Sequence, residues 1–440
     1  MQLKSHTIAD GVTLHTLDTD RFKTNYLSVN FLLPLRRETA SLASLLPKVL
    51  KRGTLHYPDI TSLSRRYDML YSSDIYPHVT QIGEQQIFGF RTEILKDRYV
   101  PDGSDLLHEV LQVLGELLFA PVTENGVFRN DYVQAERRIL LDEIDARINH
   151  KSAYALFRCK EIMCEGEHYA ISCIGSQKEV AAITPESLYA FYRHILETAR
   201  IEIFFVGQTD THMLLTEMQS LFSMQQRHFT RLPGTEVIRS AAAVRSVTEY
   251  GHVSQGKLVL GFRTGSIITD GNYEALSMFL TVYGTAPTSK LFLNVREKLG
   301  LCYYCRANMD SHKGVMVVSS GIAAKNKEAA QQEILSQLDE IRAGHISEDE
   351  LESARKALIN SYGEMHDSPA ELEGYYFNRL LAGIQQTPAD SIRRIASVTL
   401  DDIAAAAQKI TLDTAYFLAP EQTEGGEADE SIPEDEACDD

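Results

Sequence analysis

Glu136 and Glu143 stand seven residues apart in QAERRILLDEID, two turns of a helix, so both carboxylates leave the same face. On a helical wheel they fall between Ile139 and Leu140, inside an apolar arc. Carboxylates in such a stripe need a cation or hydrogen-bond donors if they are buried. A pair of surface glutamates, with Glu143 joined to Arg147 four residues on, fits the local pattern equally well. A second segment, residues 40–52, is also amphipathic at about 100° per residue. Leu42, Leu45, Leu46, Val49 and Leu50 share one arc; Ser44, Lys48, Lys51 and Arg52 share the other. Two histidines four apart on such a face bind zinc, and a glutamate beside them activates the bound water. Serine and protonated lysine do neither, and Pro47 brings no carboxylate and is expected to kink the helix.

The elements that must position these groups can be read coarsely. The 440-residue chain exceeds one simple core and is 44% hydrophobic and 24% charged, ordinary globular composition. Capped helices begin after Thr184 and Thr399, 215 positions apart, and each is followed by an apolar strand, 201–207 and 414–419. That period implies duplication of one α/β unit. Strands are expected at 12–17, 25–34, 71–79 and 85–93, and at 257–264, 301–309 and 313–321. Helices are expected at 38–52, 104–118, 130–150 and 185–196, and at 325–343, 347–362 and 369–381. The fold class is therefore α+β, two homologous domains, each a mainly antiparallel sheet with helices on one face. The divisions are an N-terminal domain 1–223, a polar, basic linker 224–246, a C-terminal domain 247–420 and an acidic tail 421–440.

The net charge is −18, of which ten carboxylates in that tail account for all but −8. The tail has almost nothing to bury and is read as disordered and solvating. The balance argues against nucleic acid as a partner. No apolar run is long enough to span a membrane, and the first residues lack a secretory pattern. Six scattered cysteines suggest free thiols, and a cytoplasmic location follows. Cys302-x-x-Cys305 has the form of a redox or zinc motif, but strand residues three apart point to opposite faces, so packed cysteines are preferred. Cys159, Cys164, His168 and Cys173 form a loose cluster read as core or loop. The histidines contain no H-x-x-E-H or H-E-x-x-H, and the segment 284–290 lacks the glycines of a phosphate loop.

Several stretches carry a likeness across nearly the whole chain. They are Phe22-Lys23-Thr24-Asn25 into Val29–Leu35, Leu46–Thr54, Glu167-His168-Tyr169-Ala170 through Gly175-Ser176, and above all Ser289-Lys290-Leu291-Phe292 with Arg296-Glu297-Lys298-Leu299-Gly300-Leu301-Cys302-Tyr303. The chain resembles the insulinase/pitrilysin zinc metallopeptidases, and within them a zinc-less bacterial subgroup. The resemblance implies that Ser44, Pro47 and Lys48 occupy the metal-site positions of H-x-x-E-H, with Pro47 in the seat of the general base. Glu143 matches the third ligand and Glu136 its supporting carboxylate. No metal is carried over, and the Lys48 ammonium is expected to neutralise Glu143. Arg296 and Tyr303 match the pair that holds the substrate backbone and supports the oxyanion. The resemblance further implies a noncatalytic half of a heterodimeric protease. It would bind peptide for a zinc-bearing homologous subunit, hold no cofactor itself and shape the shared chamber. A peptide-binding or chaperone-like module without proteolysis, and an autonomous hydrolase with an unrecognised site, are the alternatives.

Overall fold

Alternating apolar residues build two sheets of one plan. The computed structural model describes residues 1–101, 103–223 and 226–421, so the expectations for the acidic tail lie outside the described residues beyond Glu421. In the first half the strands are β1 (Lys4–Ala9), β2 (Val12–Asp18), β3 (Thr24–Pro34), β4 (Ile75–Ile82) and β5 (Gln85–Leu95). A two-residue pair, β6 (Thr123–Glu124) and β7 (Val127–Phe128), and then β8 (Arg200–Gly207) complete it. The second half holds β9 (Arg245–Gly251), β10 (Gly256–Arg263), β11 (Cys302–Asp310), β12 (Val315–Ile322) and β13 (Thr411–Pro420). The first sheet runs β1-β2-β8-β3-β5-β4 and the second β11-β12-β10-β13-β9. Read from opposite ends, the orders match strand for strand, with β1 as the addition. The one parallel contact recurs too, β2 with β8 and β9 with β13, and all other pairs are antiparallel. The duplicated α+β architecture expected from the sequence is present.

Both threonine caps form as reciprocal boxes, Thr184 with Ser187 and Thr399 with Asp402. Several boundaries differ from expectation. The strand placed at 71–79 starts at Ile75, because Tyr71 and Ser72 turn the chain with φ of 55° and 58°. The helix placed at 130–150 ends at Ala146, and a separate helix, Lys151–Met163, follows. Residues 245 and 246, taken as linker, already belong to β9. The connecting stretch is also well anchored. The buried Arg227 guanidinium donates to the carbonyls of Asp10, Leu196 and Ala199.

Period-two alternation gives each sheet two apolar faces. In β3, Leu27, Val29 and Phe31 face the helices of their own half, including Arg37–Leu50, Leu106–Phe119 and Pro185–Thr198. Tyr26 and Leu32 face the other way, into a core with residues of the second half. The helix Pro369–Leu381 lies there, with Phe377 edge-on to Phe204 at 5.4 Å. Reciprocally, Lys151–Met163 covers the reverse face of the second sheet, where Ala155 and Cys159 meet Val259, Tyr416 and Leu418. Its approach is so close that a Cβ on Gly261 would sit 2.7 Å from the Met163 sulfur. Each half therefore lends one helix to the other.

Charged groups are sealed between the halves. Glu373, on the lent helix, accepts from Tyr26 (2.5 Å), Asn30 (3.0 Å) and Ser28, and burial pushes its carboxyl above the usual range. Lys313 is fully buried, with its ammonium 2.6 Å from Glu84, 2.7 Å from Glu167 and 2.6 Å from the Glu236 carbonyl. Arg263 bridges Glu167 (2.7 Å) and Asp413 (2.9 Å). The cluster joins the first half, the connecting segment and the second half.

Candidate functional site

The helix Arg37–Leu50 is buried along most of its length, since Ala40, Ser41, Ala43, Ser44, Leu45, Leu46, Pro47, Val49 and Leu50 are all inside. That corrects the placement of Ser44 on a polar face: it points inward, and its buried hydroxyl has no hydrogen-bond partner among the described residues. Pro47 lies within the helix, lacks the N–H that would reach Ala43, and the helix ends three residues later. Gly175, with φ of +84°, passes so close to this helix that a Cβ would meet the Ser41 hydroxyl at 2.0 Å.

The helix Asn130–Ala146 crosses nearby with Val133 and Leu140 buried. The arc holding the glutamates is covered at one edge and open at the other: Leu140 is buried and Ile139 is 48% exposed, with Glu136 on the covered part and Glu143 on the open part. Glu143 does not pair with Arg147, whose guanidinium instead reaches Ser172 and stacks on Phe157 at 4.4 Å. Its carboxylate receives the Lys48 ammonium at 2.5 Å. Glu136 receives Arg52 Nε at 2.5 Å. That second pair had no signature in the spacing of either segment, because it joins residues 84 positions apart. Arg52-Gly53-Thr54 closes the corner. A Cβ on Gly53 would press on the Pro58 carbonyl at 2.7 Å, and buried Thr54 donates to Glu116 at 2.6 Å.

The donor set does not fit zinc. Ser44 offers a neutral hydroxyl, Pro47 nothing, Lys48 a competing positive charge, and both glutamates are already neutralised. The two pairs differ in burial: the side chains of Arg52 and Glu136 are 19% and 12% exposed, those of Lys48 and Glu143 23% and 49%. Lys48→Ala should cost less than about 1 kcal/mol, as solvent screens an exposed pair. Arg52→Ala should cost about 1.5–3 kcal/mol, since a charged hydrogen bond is lost from a covered carboxylate. Urea melts of both variants check the ranking; equal losses would refute it.

Arg296 lies on a wide-turned helical segment, Leu291–Lys298, where it stacks on Phe292 at 4.8 Å and approaches Glu297 at 3.4 Å. Tyr303 is 71% exposed on β11. Among the described residues no hydrogen bond or ion pair ties either side chain to Glu136 or Glu143. Both remain open to a ligand. Cys159 and Cys164 are buried, and burial pushes each thiol to about 12. The strand geometry assumed for Cys302 and Cys305 is not what forms. An extra residue in β11 places them on one face.

Comparison with known proteins gives a consistent set of relatives. Residues 182–358 match the family model described as the peptidase M16 inactive domain. The chain is 33% identical over 408 residues to the "Probable inactive metalloprotease YmfF" of Bacillus subtilis (strain 168), covering 93% of this chain and 96% of that one. A crystal structure of a conserved protein from Enterococcus faecalis V583 superposes with a TM-score of 0.88 at 30% identity, covering 97% of this chain and 100% of the other. The peptidase M16 inactive domain from Pseudomonas fluorescens shares the fold, with a TM-score of 0.77 at 15% identity over 97% of this chain and all of that one. Among the described residues no helix is long and apolar enough to cross a membrane, and no three metal-ligating side chains cluster.

Proposed function

Since the chain belongs to the insulinase/pitrilysin (M16) metallopeptidase family, we propose that it is a noncatalytic member, working as the peptide-holding subunit beside a zinc-bearing homologue. One observation carries this: the Lys48 ammonium rests on the carboxylate that would be the third zinc ligand, 2.5 Å from Glu143. A cation fixed to the chain there satisfies the anion but activates no water. The name of the Bacillus relative, a probable inactive metalloprotease, supports the same reading.

What remains available is positioning chemistry. Arg296 and Tyr303 are exposed hydrogen-bond donors that can hold a peptide carbonyl and, at a neighbouring zinc, the oxyanion that develops from it. The catalytic ion and general base then come from the partner subunit, and this chain contributes the opposite wall of the chamber.

The test is reconstitution. The purified chain is mixed with its zinc-bearing homologue and peptide cleavage is followed with each chain alone and with both. Cleavage only in the mixture supports the proposal, together with less than stoichiometric zinc on the isolated chain. Full cleavage by the homologue alone, or tight stoichiometric zinc on this chain, would overturn it.

A further inference from the structure

β11 carries one residue more than its partner strand. Its pairing with β12 runs Cys302 with Ile322, Tyr304 with Gly321 and Cys305 with Ser320, so Tyr303 is the unpaired residue of a bulge. In a regular strand, positions i and i+3 face opposite ways. With one residue bulged out, Cys302 and Cys305 behave as i and i+2 and share a face. Both thiols are free, and they sit on the same side of β11, across from Ile322 and Ser320. They are not equivalent. Cys302 is half-buried and Cys305 is buried, directly across from Ser320.

We propose that Cys302 and Cys305 form a thiol–disulfide exchange site that accepts small-molecule disulfides of the glutathione type and closes to an intrachain disulfide. Cys302 is the attacking sulfur. The hydrogen bond from Cys305 lowers its thiol to about 7, outweighing the burial that opposes it, and the nearby Arg296 charge helps. The other described cysteines lack this: burial raises Cys159, Cys164 and Cys173. In the first step the Cys302 thiolate attacks one sulfur of the small disulfide. A Cys302–S–S–R bond forms, and the other half leaves as a thiolate that takes up a proton. In the second, the Cys305 thiol gives its proton to solvent and attacks the Cys302 sulfur, releasing the second small thiol. The protein dithiol is oxidised by two electrons, and one disulfide is reduced to two thiols. Closure ties together the two residues that bracket Tyr303 and Tyr304.

The experiment uses the full reduced chain, native, with oxidised glutathione. Trypsin cuts after Lys298 and Arg306, releasing both cysteines in one peptide, Leu299–Arg306. Expected are loss of two hydrogens from that peptide, reversal by reduced glutathione, and a retained glutathione adduct on Cys302 in the Cys305→Ser variant. Iodoacetamide labelling of Cys302 should reach half its maximal rate near pH 7 and move up in Cys305→Ala. Two outcomes overturn the proposal. One is a Leu299–Arg306 peptide that stays dithiol in the native chain yet oxidises once unfolded. The other is a Cys302 labelling midpoint near that of an ordinary thiol, about 8.5.

Discussion

Lys313→Met should lower the unfolding free energy by about 3–5 kcal/mol. Its ammonium is fully buried between Glu84 and Glu167 and also donates to the Glu236 carbonyl. Methionine fills the volume but leaves Glu84 without its cation in a place water does not reach. Glu167 keeps Arg263 and suffers less. Adding Glu84→Gln to Lys313→Met should therefore recover part of the loss, while Glu84→Gln alone costs stability. Guanidinium melts of the three variants, read as midpoint shifts at unchanged slope, measure this. A Lys313→Met chain within about 1 kcal/mol of wild type, or a double variant no better than the single, would show the cluster to be incidental.

Arg296→Ala should leave stability within about 0.5 kcal/mol, because the side chain is 40% exposed and is held by the ring of Phe292 and a long contact with Glu297. In the reconstituted two-chain protease, the same change should lower kcat/KM by about 100- to 1000-fold, the usual loss when one oxyanion donor is removed. A drop confined to kcat would assign Arg296 to the oxyanion; a rise in KM alone would assign it to holding the peptide backbone. Arg296→Lys keeps the charge but not the planar fork and should fall between. Unchanged cleavage by the alanine variant would remove Arg296 from the site.

Much of this was open to reading from residue order. The duplication was visible in two capping threonines, because a cap is a local rule that needs no tertiary knowledge. The candidate partners of Glu143 reduced to Arg147, by helical spacing, and Lys48, by likeness to the family; only the folded chain decides between them. Ser44 was misplaced because a wheel weighs polarity along one helix and ignores packing on both sides of it. Arg52 with Glu136 escaped notice since nothing local links two residues on separate helices. The packing of Cys302 and Cys305 was legible, but their relative facing was not, because periodicity presumes unbroken pairing and a single extra residue reverses which side a thiol takes.

The reciprocal loan of helices sets how the polypeptide can be divided. Severed in the stretch between residues 226 and 244, either fragment would keep a helix whose landing surface is on the other piece, and would bare an apolar sheet surface of its own. Such fragments should be insoluble apart yet rescue one another when made together, so gain, loss and heat denaturation of the fold are shared by the whole polypeptide.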